Sequence, residues 1–217
     1  MTHVAEKFER IGSRLVEDDG PSWLFDEGPR LDIIRDRRGR EVFTLARPHD
    51  CEVEVLDCRP KDRHLLLMLR EREGNSRFLC GHDERHYFVA SVPDPVSTVE
   101  QAKESLKPPE ARGARLRRRE RGKRRNPAYI RQGEWFFIPD PDFEPEGRPI
   151  HGKEPLRRGR GRPHVCEEYC RSGIELAHAR GRVTHPDHAT VELRGWHRVA
   201  PNTEHHAPWA GQVGFAD

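Results

Sequence analysis

Residues 51–71 read CEVEVLDCRPKDRHLLLMLRE, and this stretch decides the fold. In CEVEVLDC, apolar and polar side chains alternate with a period of two, as on a strand with one face against a core. After a charged, proline-containing break, HLLLMLRE is a continuous apolar run. The same grammar extends outward. LDIIRD (31–36) and EVFTLA (41–46) flank a charged RRGR turn, and SRFLC (76–80) and HYFVASV (86–92) follow. Breaks rich in Gly, Asp and Asn separate these runs at hairpin distances. About six strands, mostly antiparallel, are therefore predicted between Leu31 and Val92, as a meander or a small barrel.

Helical signals are few. Ala5–Leu15 can form one short amphipathic helix, with Phe8, Ile11 and Leu15 on one face. STVEQAKESL (97–106) is the second candidate, with Ser97 as N-cap, Glu100 completing a capping box, and Pro108 and Pro109 as the stop. In YIRQGEWFFIPDP one strong strand, Glu134–Ile138, is ended by Pro139. Residues 140–163 are Pro, Gly and charge, and read as a long loop. RVTH and ATVEL then form a hairpin about a Pro186–Asp187 turn. The predicted class is α+β, dominated by antiparallel strands, with few short helices and a β-rich C-terminal unit. The expected organisation is an α+β core over 1–106, a basic arm or linker over 107–127, a small β-rich unit with a long basic loop over 128–200, and a tail over 201–217.

Composition narrows the classes. Hydrophobic residues are 34% of the 217 and charged residues 35%, so the core is lean and polar, irregular segments join the ordered parts. No apolar run approaches the roughly 18 residues of a membrane span, which excludes a membrane partner. The N-terminus carries mixed charge and no apolar signal core, so a cytoplasmic location is expected. Five cysteines, an odd number, then read as reduced thiols, free or on metal.

Charge is sharply uneven. Residues 112–125, RGARLRRRERGKRR, hold nine Lys or Arg against Glu120; residues 153–162, KEPLRRGRGR, hold five against Glu154. The runs carry +8 and +4 of a chain total of +2, leaving −10 on the rest. A concentrated cationic belt attracts polyanions by releasing their counterions, without sequence reading. The predicted nucleic-acid contacts are Arg112, Arg115, Arg117, Arg118, Arg119, Arg121, Lys123, Arg124 and Arg125, with Arg131, Arg157, Arg158, Arg160 and Arg162. Tyr129, Trp135, Phe136 or Phe137 beside them offer stacking faces for unpaired bases, although strand alternation puts part of this aromatic run in a core.

Eight of thirteen histidines lie at or after His151. His185 and His188 flank a Pro-Asp corner, and the residues flanking such a turn lie within about 7 Å at Cα. Both imidazoles can then address one ion, with His197 or HVCEEYC supplying more ligands. In HVCEEYC, His164 precedes Cys166 and Cys170, thiols at i and i+4 that share a side if the segment is helical. Tetrahedral zinc accepts this mixture, so His164, Cys166, Cys170, His185, His188 and His197 are the candidate metal ligands. Hairpin-flanking histidines and partly buried thiols are the alternative. In LCGHDERHYF, Cys80 and His86 are a candidate thiol–imidazole pair, against the alternative of an ordinary charged hairpin loop.

Four stretches, DRHLLLMLRE, LCGHDERHYFVASVP, RQGEWFFIPDP and RGRVTHPDHATVELRGWHRV, resemble segments of an uncharacterised bacterial protein family. The resemblance implies no activity, fold or catalytic residue. It implies a bacterial or mobile-element origin and a cytosolic location. The residues themselves point to RNA or DNA binding, RNA ahead of DNA, by an accessory protein of a ribonucleoprotein or mobile-element system. One alternative is a metal-dependent nuclease or hydrolase using the His/Cys cluster, in which the ion activates water. Another is a zinc-stabilised module with a protein partner.

Overall fold

The computed structural model describes residues 2–20, 28–72, 74–112, 114–117, 119–120, 122–158, 162–171, 173 and 176–204. Arg118, Arg121, Arg160 and the tail beyond Glu204 lie outside the described residues. The fold is mostly antiparallel β with two short α-helices, in two compact units. One is built from the residues up to Leu106 together with Glu204, the other from Lys107–Thr203.

The first unit opens with helix α1 (His3–Arg10). Three strands, β1 (Leu15–Gly20), β2 (Arg30–Arg35) and β3 (Glu41–Pro48), form a sheet in the order β1-β3-β2, with β1 parallel to β3. The next four, β4 (Glu52–Arg59), β5 (His64–Glu71), β6 (Gly74–Asp83) and β7 (His86–Ser91), form an antiparallel meander. Helix α2 (Val99–Ser105) follows.

Strand β5 is covered on both faces. Leu65, Leu67 and Leu69 enter one core with Phe8, Ile11, Phe43, Leu45 and Phe78. Leu66 enters another with Leu79, Ala90, Val99 and Ala102. Two-sided burial explains why HLLLMLRE shows no polar alternation, while β4, at the sheet edge, keeps it. All six strands predicted between Leu31 and Val92 are present as β2–β7, divided between two sheets: β2 and β3 belong to the three-stranded sheet, and only β4–β7 form a meander.

The helices are shorter than expected. Gly12, at φ +76°, turns the chain out of α1: its N–H donates to Glu9 O at 2.9 Å and that of Ser13 to Phe8 O at 3.0 Å. This left-handed glycine stop leaves Leu15 to start β1. At α2 the cap is Thr98 rather than Ser97. Its hydroxyl accepts from Gln101 N–H at 3.2 Å, and Gln101 Oε1 accepts from Thr98 N–H at 3.1 Å. No helix among the described residues is long and apolar enough to cross a membrane.

The second unit is one antiparallel sheet. Its strands are β8 (Arg125–Asn126), β9 (Tyr129–Gln132), β10 (Trp135–Pro139), β11 (Ile150–Leu156), β12 (His164–Arg171), β13 (Ala177–Thr184) and β14 (Val191–Pro201). Their order is β11-β12-β13-β14-β10-β9-β8, two meanders joined where β14 pairs with β10. Ile130, Trp135, Phe137, Leu156, Cys166, Tyr169, Ala179, Val183, Leu193 and Val199 make its main core. Two expectations are corrected. The long loop over 140–163 contains β11, an edge strand exposed at most positions, so it carries no apolar alternation. HVCEEYC is strand β12, not helix, with a bulge between Cys166 and Glu168. The basic segment is anchored to this unit, since Ala111 and Leu116 are buried with Tyr129 and Phe136.

Removing the inner face of β5 should cost far more than removing the α2 cap. Leu67→Ala should destabilise the first unit by about 2–5 kcal/mol, and Thr98→Ala by about 1 kcal/mol. Denaturant unfolding of the two variants beside the wild type measures both.

Candidate metal centre

The site grows from one end of the second unit's core. Along a strand every second side chain faces the same way. Following Ile130, Cys166 and Val183 one such step toward this end gives Gln132, His164 and His185, so polar residues occupy the inward rows where the apolar ones stop. The β12–β13 register pairs Val165 with Thr184, which sets His164 opposite His185 one step further. Their rings stack with centroids 4.3 Å apart. His188, from the β13–β14 connection, closes the group at 5.4 Å from His164 and 4.7 Å from His185.

Gln132 and Gly133 hold the group in place. Gln132 is 1% exposed, and its side-chain N–H2 donates to Val183 O at 3.3 Å and Ala189 O at 2.7 Å, gripping the segment that carries His185 and His188 at both ends. Gly133 follows at φ +57°. A Cβ there would lie 3.0 Å from His188 Nε2 and 3.1 Å from His164 Nε2. Two Nε2 atoms therefore converge over a glycine whose missing side chain leaves them room.

Each ring is held differently. His164 is 1% exposed, and neither ring nitrogen has a hydrogen-bond partner among the described residues. Its Nδ1 lies 4.0 Å from Glu134 Oε1, which leaves Nε2 toward His188. His185 Nδ1 accepts from Asp187 N–H at 3.1 Å, so its hydrogen sits on Nε2, which donates to Arg162 O at 3.1 Å. Metal binding through that Nε2 exchanges the carbonyl bond for a ligand bond. One ligand atom from each of the three rings lies within 4.8 Å of the others, so the group can hold a metal ion. Tetrahedral coordination at about 2.0–2.1 Å needs ligand atoms roughly 3.3 Å apart, so rings now within 4.8 Å would have to close on the ion.

Burial and neighbouring charge keep His164 and His188 neutral. Burial, then the charges of His185 and His188, pull the His164 imidazole down to about 3. Burial, then His185 and Arg124, pull His188 down to about 4, while Asp187 opposes. Burial pushes the Glu134 carboxyl up, against its own backbone N–H, Arg158 and His185. Neutral imidazole is the form that binds metal.

Of the six predicted ligands, the structure brings together His164, His185 and His188, and not the others. Cys166 is 0% exposed inside the apolar core, where burial pushes its thiol up to about 12. Cys170 is buried opposite His178. His197 is buried on β14, its Nδ1 2.9 Å from Gly195 O. Sequence reasoning missed Gln132, Gly133 and Glu134. The usable signal was Gln132, a polar residue at an inward position of its strand.

The Cys80–His86 pair does not form. Cys80 is 0% exposed in the first unit's core and pairs with Val89 across the hairpin, and burial raises its thiol further. His86 Nδ1 is instead 2.6 Å from Glu41 Oε1. The stacking expectation is also corrected: Tyr129, Trp135, Phe136 and Phe137 are all buried in cores.

The basic residues divide. Arg115, Arg117, Arg119, Lys123 and Arg157 are exposed. Several others brace the fold. Arg112 donates to Lys107 O at 2.8 Å and Thr203 Oγ1 at 3.1 Å, Arg125 to Glu192 O at 2.7 Å, and Arg158 to Asn202. Arg124 and Arg131 are half-buried, and both charges act on His188; Arg162 is exposed, its carbonyl on His185. No family model, curated protein or solved structure matches the chain, so the geometry alone carries the functional reading.

The histidines set a pH dependence. Unfolded histidine titrates near 6.5, while His164 and His188 sit lower in the folded protein. Between these values the unfolded chain binds more protons, so their stabilisation, complete above about 6.5, is lost as pH falls through about 4 toward 3. In chelator, urea unfolding of the wild type and His188→Gln should show the difference. The variant should lose less stability between pH 7 and pH 4.5; equal losses would remove His188 from the acid response.

Proposed function

We propose that this protein is a metal-dependent hydrolase of nucleic acid, with a zinc-like ion held by His164, His185 and His188. One observation carries the reading. A buried imidazole, His164, keeps both nitrogens without a hydrogen-bond partner among the described residues and faces two more imidazoles. Buried polar atoms left unmade cost free energy, and a ligand at this point removes the cost.

Three protein ligands suit a catalytic rather than a structural ion, because a fourth position remains for water. Held by His164, His185 and His188, such an ion would supply hydroxide near neutral pH by acidifying a bound water. Hydrolysis would form a new P–O bond, break the ester P–O bond and return the water's proton to the leaving oxygen. Glu134 is the candidate positioning residue: its carboxylate lies 4.0 Å from His164 Nδ1, where a short approach would let it accept the ring N–H and orient a metal-bound imidazole. No thiol takes part, since Cys166 is a core residue.

The exposed cations Arg115, Arg117, Arg119 and Lys123 support nucleic acid as the substrate. They lie in the same unit as the histidines and grip phosphates without reading sequence. The buried aromatics support a grip by charge rather than by stacking.

Metal analysis of the purified full chain should find about one zinc-like ion per molecule, lost in His164→Ala. Cleavage of single-stranded RNA or DNA should stop with chelator and return with metal. Glu134→Gln should weaken metal affinity by about 10–100-fold. A metal-free wild type with no chelator-sensitive cleavage would sink the reading. For the cations, neutralising Arg115, Arg117 and Arg119 together should flatten the log–log salt dependence of binding by roughly 0.7–0.9 per lost contact. An unchanged slope removes them from the surface.

A further inference from the structure

We infer that the space over Gly133, beside His164 Nε2 and His188 Nε2, seats the exchangeable ligand of the three-histidine site. That ligand presents one oxygen-sized donor atom there: water at rest, and a terminal oxygen when an oxyanion displaces it; that it completes an ion's coordination rests on the metal-centre reading above. Gly133 opens the turn between β9 and β10, where Gln132 pairs with Trp135. Its φ of +57° favours glycine by itself, so the residue type alone says nothing of a ligand. The distances do. A Cβ on Gly133 would lie 3.0 Å from His188 Nε2, 3.1 Å from His164 Nε2 and 3.2 Å from His164 Cε1.

Those distances separate carbon from oxygen. A methyl carbon 3.0–3.2 Å from the rings is crowded, tighter than nine in ten Cβ contacts. An oxygen 3.0 Å and 3.1 Å from two ring nitrogens stands at ordinary hydrogen-bond separation. It also stands near the roughly 3.3 Å that separates neighbouring ligand atoms around a tetrahedral ion with bonds of about 2.0–2.1 Å. One point over Gly133 therefore meets two of the three imidazoles as a fourth ligand must. A sulfur donor, larger than oxygen, is crowded there as a methyl is. His164 keeps both ring nitrogens without a hydrogen-bond partner among the described residues, so no bond of that ring is broken when an ion and its ligand arrive. Gln132 is 1% exposed and Gly133 half-buried, so the chain passes from core to surface here, and a ligand over Gly133 sits at that boundary.

The probe is azide, whose terminal nitrogen is close to oxygen in size, added to the full chain loaded with cobalt(II) in place of zinc. Dialysis and metal analysis first measure cobalt uptake. Azide should then change the visible absorption of the wild type, and the change should saturate. Gly133→Ala should lower azide affinity more than about tenfold while cobalt affinity stays within about tenfold. Gly147→Ala is the control: it shares the left-handed conformation, at φ +80°, in the same unit, but its Cβ meets nothing within 4 Å. It should bind azide as the wild type does, which separates backbone strain from filled space. A second measurement needs no variant. In the zinc-loaded wild type labelled with carbon-13 glycine, azide should shift the Gly133 Cα resonance and leave that of Gly147 unmoved. This label decides alone where Gly133→Ala fails to fold or to take up cobalt. Cobalt uptake with no azide response, equal azide affinity in Gly133→Ala, or an unmoved Gly133 resonance overturns the inference and leaves the metal reading standing. A chain that takes up neither cobalt nor zinc removes the metal reading, and this seat with it.

Discussion

The second unit depends on the side-chain amide of Gln132. It donates to Val183 O on β13, three places from β9 in the order β13-β14-β10-β9, and to Ala189 O in the β13–β14 connection. A flat sheet would keep these strands apart by three spacings of about 4.8 Å. The contact therefore requires the sheet to coil until β9 reaches β13. Register shifts at Cys166/Glu168 in β12 and Ala179/Gly181 in β13 supply local bending. Once the coil closes, the β13–β14 connection is held at both ends, and His185 and His188 have one place to go. Gly133 then leaves the space that their rings occupy.

Seen this way, what could be read from the sequence and what could not follow from the range of the interactions. β2–β7 were legible because alternation in CEVEVLDC and the solid run HLLLMLRE report burial strand by strand. The HPDH pair was legible because a short turn brings its flanks together whatever the rest of the chain does. His164 joins that pair through the β12–β13 register, so of HVCEEYC it is the histidine, and neither thiol, that the structure brings to the other two imidazoles. The thiols were misread because a Cys at an inward strand position serves equally as a small apolar residue. β11 was invisible because an edge strand with most positions in water has no burial pattern to print. Gln132 and Glu134 act across the coil, and no local spacing encodes that.

The cationic runs are not one feature. Arg112, Arg125 and Arg158 spend their guanidinium groups on backbone or side-chain oxygens of their own unit. Ala111 and Leu116 tie the run to the core. What remains at the surface is a set of exposed cations on an otherwise acidic chain, held near a fixed sheet rather than on a loose arm. Anchoring matters energetically, because a phosphate contact made by an ordered side chain loses less entropy than one made by a free tail.

The charges of Arg124 and Arg131 act on His188 and would repel an ion held there. The balance turns on the protonation of the imidazoles. Arg124 and Arg131 oppose a proton on His188, and burial with the neighbouring rings opposes one on His164. The same positive field that would resist an ion thus helps keep His188 in the neutral form that binds metal, at a pH where free histidine is already partly protonated. Glu134 and Asp187 offset part of the repulsion from the side.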